Sequence, residues 1–299
     1  MKKVNEVAQN VFLIDCFFAG LPDQCGVYLL RGEKNVLIDS GPSQGVEHVI
    51  EGLEGLDIDG MDVHYILLTH IHLDHAGGAS FLLDHFPQAR VLVSENSSRY
   101  LVNPEKLVRS AGRALGDIAL FYGVMRPIPA EKIIPLRDGY DLDLGGGMSI
   151  RAVHTPGHSS GHFAFLESGT RALFCGDSLG HFIEGSGYIF PATPPPEFDM
   201  ELSIASAKKL ADLEPTLLLF NHFGSSDRVQ EYCDEFIRRL ERFVHVVEGG
   251  SPEENLRFLT DYMLNDLPQI KEEESGLMSG IMEVNAAGIL YYLQKKEDS

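Results

Sequence analysis

The sequence predicts an α/β fold, and two observations support this prediction. Short runs of apolar, β-prone residues alternate along the chain with segments in which apolar residues recur at helical spacing. Histidine and aspartate residues directly follow several of the β-prone runs, next to glycine or another turn residue. Strand ends that run into loops and helices are where α/β proteins place functional side chains, so the second observation also indicates where a site would lie.

Length and composition limit the architecture and the partners. With 299 residues, the chain can bury a large core as one domain or as one domain with a small appendage. Its 44 acidic residues outnumber 24 lysines and arginines, which gives a formal net charge of −20. Because this charge repels polyphosphates and anionic membranes, we expect a small-molecule substrate and neither nucleic acid nor a membrane as a partner.

The cysteines and the apolar runs indicate a cytoplasmic protein. None of the four cysteines forms a C-x-x-C pair, and a chain of this length does not depend on a disulfide framework, so we expect reduced thiols. Asn5, Glu6 and Asp15 interrupt any apolar segment of a secretory leader. The apolar runs fall short of the roughly 18 residues that a membrane-spanning helix requires.

The first part of the chain predicts strands and one helix. Three β-prone runs lie between residues 11 and 39, and a hairpin turn joins the last two. Ser43 can cap a helix that follows them. We interpret Asp39, at the end of the third run, as a carboxylate that caps local backbone amides rather than as a catalytic group.

The densest cluster of ligand-type residues follows a buried strand predicted at 63–68. Three histidines and an aspartate lie within six positions, namely His70, His72, Asp74 and His75. His70 and His72 point the same way in an extended segment because they are two residues apart. Imidazole and carboxylate groups are ligands of zinc and iron, and the pattern H-x-H-x-D-H is rare by chance. The cluster therefore predicts a metal site in front of a short helix at 79–86.

The middle of the chain predicts a helical insert and a second group of strands. After a strand at 90–93, helical segments extend to about residue 122 and carry a basic face made of Arg99, Lys106, Arg109 and Arg113. This face is either a solvated helix surface or a rim that attracts an anionic substrate. Prolines between residues 125 and 136 indicate an extended connection or an edge strand. Further strands are predicted at 140–144, 148–154, 163–166, 171–174 and 216–220.

Three more ligand-type residues follow later strands. His158 lies at the apex of a Pro-Gly loop, Asp177 follows a glycine at the end of a strand, and His222 follows the last predicted strand. Each residue alone is a weak signal, because a single histidine is often structural. Together with the first cluster, and in this order, they form a specific pattern.

The complete pattern resembles the metallo-β-lactamase-fold superfamily. The matching residues, in that family's order, are His70, His72, Asp74, His75, the Thr155-Pro156-Gly157-His158 segment, Gly176-Asp177 and His222. The resemblance covers about residues 10–225 and implies an αββα sandwich of two mixed β-sheets flanked by helices. It implies that His70, His72 and His158 hold one metal. It implies that Asp74, His75 and His222 hold a second metal and that Asp177 bridges the two.

The resemblance also implies a function. We expect a binuclear metal-dependent hydrolase in which a metal-bridging hydroxide attacks a small ester, thioester or lactone, with Asp74 orienting the hydroxide. Zinc is the favoured metal, and the same ligand types allow iron or manganese. Because the chain keeps both His75 and Asp177, it is similar to hydroxyacylglutathione hydrolases (glyoxalase II) and to stand-alone hydrolases of the fold. The alternative is a mononuclear non-haem iron oxidoreductase of the persulfide dioxygenase type on the same scaffold.

The segment after Asp177 supplies two further expectations. Residues 180–199 contain aromatic residues and three consecutive prolines, and they form either a wall of the substrate site or a plain connection. His181, four residues after Asp177, is a candidate catalytic residue that would donate a proton. Asp199 can cap a helix that follows this segment.

The remaining chain predicts helices. We divide the chain into a hydrolase domain at 1–248 and a small helical C-terminal extension at 249–299. Ser251 begins the extension's first helix, with Pro252 at the first helical position and Glu254 two residues later, and a final apolar helix is predicted at 281–293. The extension caps either the core or the second subunit of a homodimer.

Overall fold

Two mixed β-sheets pack face to face in the structure, a computed structural model that describes residues 4–183, 185–247 and 250–298. In spatial and chain order, the first sheet contains β1 (Val4–Ala8), β2 (Val11–Asp15), β3 (Gly26–Leu30), β4 (Asn35–Ile38), β5 (Val63–Leu67), β6 (Arg90–Ser94) and β7 (Ile133–Leu136). Neighbouring strands are antiparallel from β1 to β4 and parallel from β4 to β7. The parallel strands therefore end at the same edge of the sheet.

The second sheet is also mixed. In spatial order from one edge, it contains β8 (Asp141–Gly145), β9 (Met148–His154), β10 (Phe163–Glu167), β11 (Ala172–Phe174), β14 (Leu217–Leu219) and β15 (Ser225–Ser226). Strands β11 and β14 pair in parallel, and the other neighbours pair antiparallel. A separate hairpin of β12 (His181–Ile183) and β13 (Tyr188–Phe190) lies between β11 and β14 in the chain.

Helices cover the outer faces of both sheets. They are α1 (Val46–Glu54), α2 (Leu73–Ala76), α3 (Ala79–His85), α4 (Ser98–Val102), α5 (Glu105–Leu115), α6 (Met200–Asp212), α7 (Val229–His245), α8 (Pro252–Asp266) and α9 (Ser275–Glu297). A 3₁₀ segment, Gly116–Phe121, follows α5. The arrangement is the αββα sandwich that the sequence pattern implies, so the predicted fold is confirmed. In the described ranges, no helix combines the length and the apolar content needed to cross a bilayer.

The core between the sheets follows from the two-residue periodicity of the strands. Alternate residues of β3, such as Tyr28 and Leu30, face alternate residues of β10 and β11, such as Phe165 and Phe174. The other strand faces pack against the helices on the outside of each sheet. Both sheets are therefore buried on two sides, which explains why several strands are apolar throughout.

Most predicted elements are present, and the exceptions have physical causes. The proline-containing segment at 125–136 does supply an edge strand, β7. Strand β1 was not predicted, because Asn5 and Glu6 interrupt its apolar pattern and it lies half-buried at the sheet edge. The hairpin β12–β13 was not predicted either, because its strands are only three residues long.

The C-terminal helices share the core of the main body. Ser251 forms the predicted capping box with Glu254 at the start of α8. Helix α9 is longer than predicted, and its buried residues pack on both the first-sheet and the second-sheet side of the sandwich. The C-terminal helices therefore pack on the core, which is one of the two positions predicted for them. The proposed boundary at residues 248 and 249 lies outside the described residues.

Candidate metal centre

Three of the predicted ligands converge beyond the end of β5. His70 and His72 follow this strand, and His158 lies in the loop after β9. His72 Nδ1 lies 2.9 Å from His70 Nε2 and 2.9 Å from His158 Nε2, and the two Nε2 atoms are 3.2 Å apart. Ligands about 2.0–2.1 Å from a tetrahedral zinc ion lie roughly 3.3 Å from one another. The spacing of the three nitrogens is close to that value, so this set could hold a metal ion.

The second predicted set lies beside the first. His222 Nε2 is 3.4 Å from Asp74 Oδ2, and His75 Nε2 is 3.6 Å from the same oxygen. Asp177 lies between the sets: its Oδ1 is 3.3 Å from His75 Nε2 and 3.5 Å from His222 Nε2, and its Oδ2 is 3.3 Å from His158 Nε2. The structure thus brings all seven predicted ligands to one place, with Asp177 in contact with both sets.

Buried atoms without hydrogen bonds test whether these residues fit a metal ion. In the described part of the chain, His75 Nε2, His222 Nε2 and Asp177 Oδ1 are buried and make no hydrogen bond. A buried polar atom without a partner costs about 1–3 kcal/mol, so native proteins rarely leave three together. A divalent cation would satisfy all three atoms at once, and the residues therefore fit a metal centre.

Outer contacts fix which imidazole nitrogen faces the centre. His158 Nδ1 lies 3.0 Å from the carbonyl oxygen of Ala192, and His222 Nδ1 lies 3.0 Å from that of Gln24. Because a carbonyl oxygen only accepts, each Nδ1 carries the proton and donates it. Each Nε2 therefore keeps a free lone pair directed at the centre, as a ligand atom requires.

Asp39 has a role that the sequence analysis did not assign. It accepts a hydrogen bond from a backbone amide as predicted, but that amide belongs to Thr69 on the neighbouring loop, at 2.7 Å. Its other oxygen, Oδ2, lies 2.7 Å from His75 Nδ1, so Asp39 also orients a candidate ligand. Strands β4 and β5 are parallel neighbours, so side chains that follow them lie at the same edge of the sheet. This arrangement could have predicted that Asp39 lies near the histidine cluster.

His162 is a second positioning residue, and its role is not predicted from the sequence. Its Nε2 accepts the backbone N–H of Asp177 at 3.0 Å, so its Nδ1 carries the proton and donates to Thr155 Oγ1 at 2.8 Å. Gly176 is required beside it, because its φ is +52° and an added Cβ would lie 2.5 Å from His162 Nε2. His162 thereby holds the backbone that carries the shared carboxylate.

Burial and charge set different proton affinities in the two sets. Burial lowers the pKa of His158 to about 3 and lowers the pKa values of His70 and His72 below their ordinary range. Burial acts in the same direction on His75 and His222, but the nearby carboxylates, chiefly Asp177, outweigh it and raise both pKa values. The histidines of the first set, His70, His72 and His158, are therefore neutral. In the second set, protons compete with a metal ion for His75 and His222.

His181, the candidate proton donor, lies at the centre. Its ring stacks on His222 with centroids 3.5 Å apart, and its Nε2 is 3.5 Å from Asp177 Oδ2. Burial lowers the pKa of His181 to about 4, so the side chain is neutral at neutral pH and would act through its N–H. It could also join Asp177 and His222 in holding a metal ion. Its catalytic role stays a prediction.

A cavity of about 400 Å³ opens onto the centre. His72, Asp74, His158, Asp177 and His181 line its inner end. Its walls come from the α4–α5 insert, from the proline segment at 194–196 and from α9. Of the two interpretations of residues 180–199, the structure therefore supports a wall of the site. Arg99 and Lys106 of the predicted basic face line the cavity as well.

These features define a class of protein: an αββα sandwich with a buried His/Asp cluster at one sheet edge. The chain belongs to the metallo-beta-lactamase superfamily, whose family model matches residues 20–222. The cluster lies within or at the end of this region.

Two relatives illustrate the range of the family. The metallo-beta-lactamase fold-containing protein ST1585 of Sulfurisphaera tokodaii is 33% identical over 258 residues, which cover 84% of this chain and 93% of that protein. Its crystal structure aligns with a TM-score of 0.74 over 95% of this chain and 99% of that chain, at 27% identity. A hydroxyacylglutathione hydrolase of Aeromonas hydrophila is 33% identical over 195 residues, but the match covers 65% of this chain and only 59% of that enzyme.

Proposed function

We propose that the protein is a hydrolase that carries two divalent metal ions, with zinc favoured, and acts on a small ester, thioester or lactone. The observation that carries this proposal is the position of Asp177, whose two carboxylate oxygens contact different ligand sets. A carboxylate placed between two sets of imidazole ligands is suited to two cations, because each of its oxygens contacts a different set.

The chain's own residues divide the work. His70, His72 and His158 would hold one ion, Asp74, His75 and His222 the other, and Asp177 both. When bound, the ions supply a water of lowered pKa and polarise the substrate carbonyl. Asp74 has one oxygen 3.4 Å from His222, and it would position the attacking water at the inner end of the cavity. His181 would offer its N–H to the leaving group.

The cavity indicates the kind of substrate. Its volume suits a small molecule, and much of the wall formed by α5 and α9 is apolar. Arg99 and Lys106 give one part of the lining a positive charge in a protein of net charge −20. This supports the rim interpretation for two of the four residues of the basic face, whereas Arg109 and Arg113 are exposed and lie outside this lining. We propose a substrate with an apolar portion and an anionic group.

The relatives support hydrolysis as the reaction class. One is a hydroxyacylglutathione hydrolase, and another, 30% identical over half of this chain, is an atrochrysone carboxyl ACP thioesterase. Both names describe hydrolysis of an acyl substrate. Because this chain covers only part of each, the relatives favour the ester and thioester class without indicating the acyl group.

A substrate panel on protein of known metal content tests the proposal. Chromogenic esters, thioesters and lactones are assayed with wild type, with His70→Ala and with His85→Ala, a matched control for which the exposed end of α3 supplies the histidine. We expect turnover of at least one class by wild type and the control, and loss of turnover in His70→Ala. A single iron per chain together with oxygen uptake on glutathione persulfide would support the oxidoreductase alternative instead.

A further inference from the structure

The loop between β2 and β3 contains residues in an unusual backbone conformation. Phe17, Ala19 and Asp23 have φ values of +50°, +55° and +61°, in the left-handed region that residues with a Cβ rarely adopt. Such residues persist only where the surrounding structure holds them, and they occur preferentially at functional sites. The contacts that hold this loop are therefore candidates for a functional role.

Asp15 clasps the loop near both ends. The residue is 2% exposed, its Oδ1 accepts the backbone N–H of Phe17 at 2.8 Å, and its Oδ2 accepts that of Asp23 at 3.1 Å. Both donors belong to left-handed residues. Burial raises the pKa of Asp15 to about 6, and no cation offsets this among the groups that the structure describes. A buried carboxylate without a countercharge is unfavourable in itself, so the two hydrogen bonds account for its presence.

The residues directly after the clasp contact the second ligand set. The carbonyl oxygen of Gln24 accepts the Nδ1 proton of His222 at 3.0 Å. The Sγ of Cys25 lies 3.6 Å from the carbonyl oxygen of Asp74. Because Gln24 directly follows Asp23, a displacement of the clasped residue moves the carbonyl that orients His222.

The first ligand set has no such connection to the loop. In the part of the chain that the structure describes, no hydrogen bond joins its three histidines to residues 16–25. His158 nevertheless makes the same kind of outer contact as His222, since its Nδ1 lies 3.0 Å from the carbonyl oxygen of Ala192. A change in the loop should therefore affect His222, and His158 provides an internal reference.

We propose that Asp15 is a positioning residue for His222, because its carboxylate holds the β2–β3 loop in the form that places the Gln24 carbonyl against His222 Nδ1. This deepens the proposed function and rests on it for the role of His222 as a metal ligand. Loss of either hydrogen bond of Asp15 lets a left-handed residue return to an ordinary φ, which withdraws the carbonyl. The imidazole of His222 then loses the acceptor that fixes its proton on Nδ1.

Two variants remove part of the clasp. In Asp15→Asn, the side-chain oxygen can accept one backbone N–H, but the NH₂ group faces the other, and two donors cannot share a contact. Asp15→Ser can accept from at most one of the two amides, and it replaces the asparagine variant if that variant does not fold. Asp141→Asn is the matched control, because it makes the same chemical change at a carboxylate whose side chain is 50% exposed and pairs with Arg151 on the surface.

The readout is the exchange with water of the imidazole N–H protons of His222 and His158. It is followed by NMR on zinc-loaded, nitrogen-15-labelled protein at mildly alkaline pH, and the two signals are assigned by their absence in His222→Gln and His158→Gln. We expect the His222 proton to exchange about tenfold faster in the Asp15 variants, as for one lost hydrogen bond, and the His158 proton to exchange as in wild type. Asp141→Asn should match wild type at both histidines.

Two results would overturn the role of Asp15. One is an unchanged exchange rate at His222 in the Asp15 variants. The other is a similar acceleration at both histidines, because a general loss of stability affects the two contacts together. Chelator competition on the same samples counts the bound ions. A wild type that holds a single ion would overturn the binuclear proposal, whereas the ratio of the two exchange rates is still measured and still decides the role of Asp15.

Discussion

Replacement of Asp39 by asparagine tests whether an outer residue controls the second ligand set. Asp39 is 1% exposed, and its Oδ1 is committed to the Thr69 amide. In Asp39→Asn, the amide oxygen keeps that position, so the new NH₂ group faces His75 Nδ1, 2.7 Å away. Two donors cannot share this contact. His75 is then driven to the tautomer with its proton on Nε2, which is the atom that faces the centre.

The expected loss of metal affinity follows from removing one hydrogen-bond partner of one candidate ligand. Loss of one outer partner of a metal-binding histidine typically lowers metal affinity about 10–100-fold, which corresponds to about 1.4–2.7 kcal/mol. His75 belongs to the set with Asp74 and His222 and contacts Asp39 directly, whereas Asp39 is linked to the set of three histidines through Thr69 Oγ1, which lies 3.1 Å from His70 Nδ1. We therefore expect one of two ions to bind more weakly and the other to bind as in wild type.

Competition with a chromogenic chelator measures the two affinities separately. The control is Asp84→Asn, which makes the same chemical change at a carboxylate whose side chain is 66% exposed and pairs with Arg126 on the surface. An exposed pair of this kind contributes little, so the control should titrate like wild type. If Asp39→Asn holds both ions with wild-type affinity, the orienting role of Asp39 is wrong.

Three further predictions concern the centre and the surface. Purified protein should hold two ions, and it should lose one of them first as the pH falls below about 6. The raised pKa values of His75 and His222 favour early protonation of the second ligand set, whereas His158, with a pKa of about 3, stays neutral. Metal content after dialysis at successive pH values checks this order. Asp177→Ala should loosen both ions, whereas Asp74→Ala should leave one in place while turnover falls about 10²-fold or more, and near-normal turnover in Asp74→Ala would disprove its role. With a net charge of −20, the protein should not bind DNA or RNA at physiological salt, and a filter-binding constant below micromolar would contradict this.

The sequence was sufficient to predict which side chains come together at the candidate centre, because their signal is local. His70, His72, Asp74 and His75 lie within six consecutive positions. The later candidate ligands, His158, Asp177 and His222, each follow a recognisable strand. The structure brings all of them together. Short β-prone runs likewise predicted most strands of the two sheets, to within a few residues at their ends.

What orients those side chains could not be predicted in the same way. The acceptors for His158 and His222 are backbone carbonyls of Ala192 and Gln24, and a backbone carbonyl leaves no trace in a side-chain pattern. The separation between Gln24 and His222 is 198 residues, so only the folded chain shows the contact. For Asp39, the local interpretation was reasonable, and the missing information was its distance to His75.

The candidate metal ligands and one wall of the cavity come from different parts of the chain. The family match ends at residue 222, whereas α9 begins at Ser275 and contributes Ile281, Val284 and Asn285 to the cavity. Membership of the superfamily therefore constrains the ligand sets and the water they would activate, and it places no constraint on this wall. Substitutions on α9 can change which substrate fits while the ligand sets remain intact. The substrate specificity of this chain should accordingly be sought in α9, which lies outside the family match, and not in the histidine motifs.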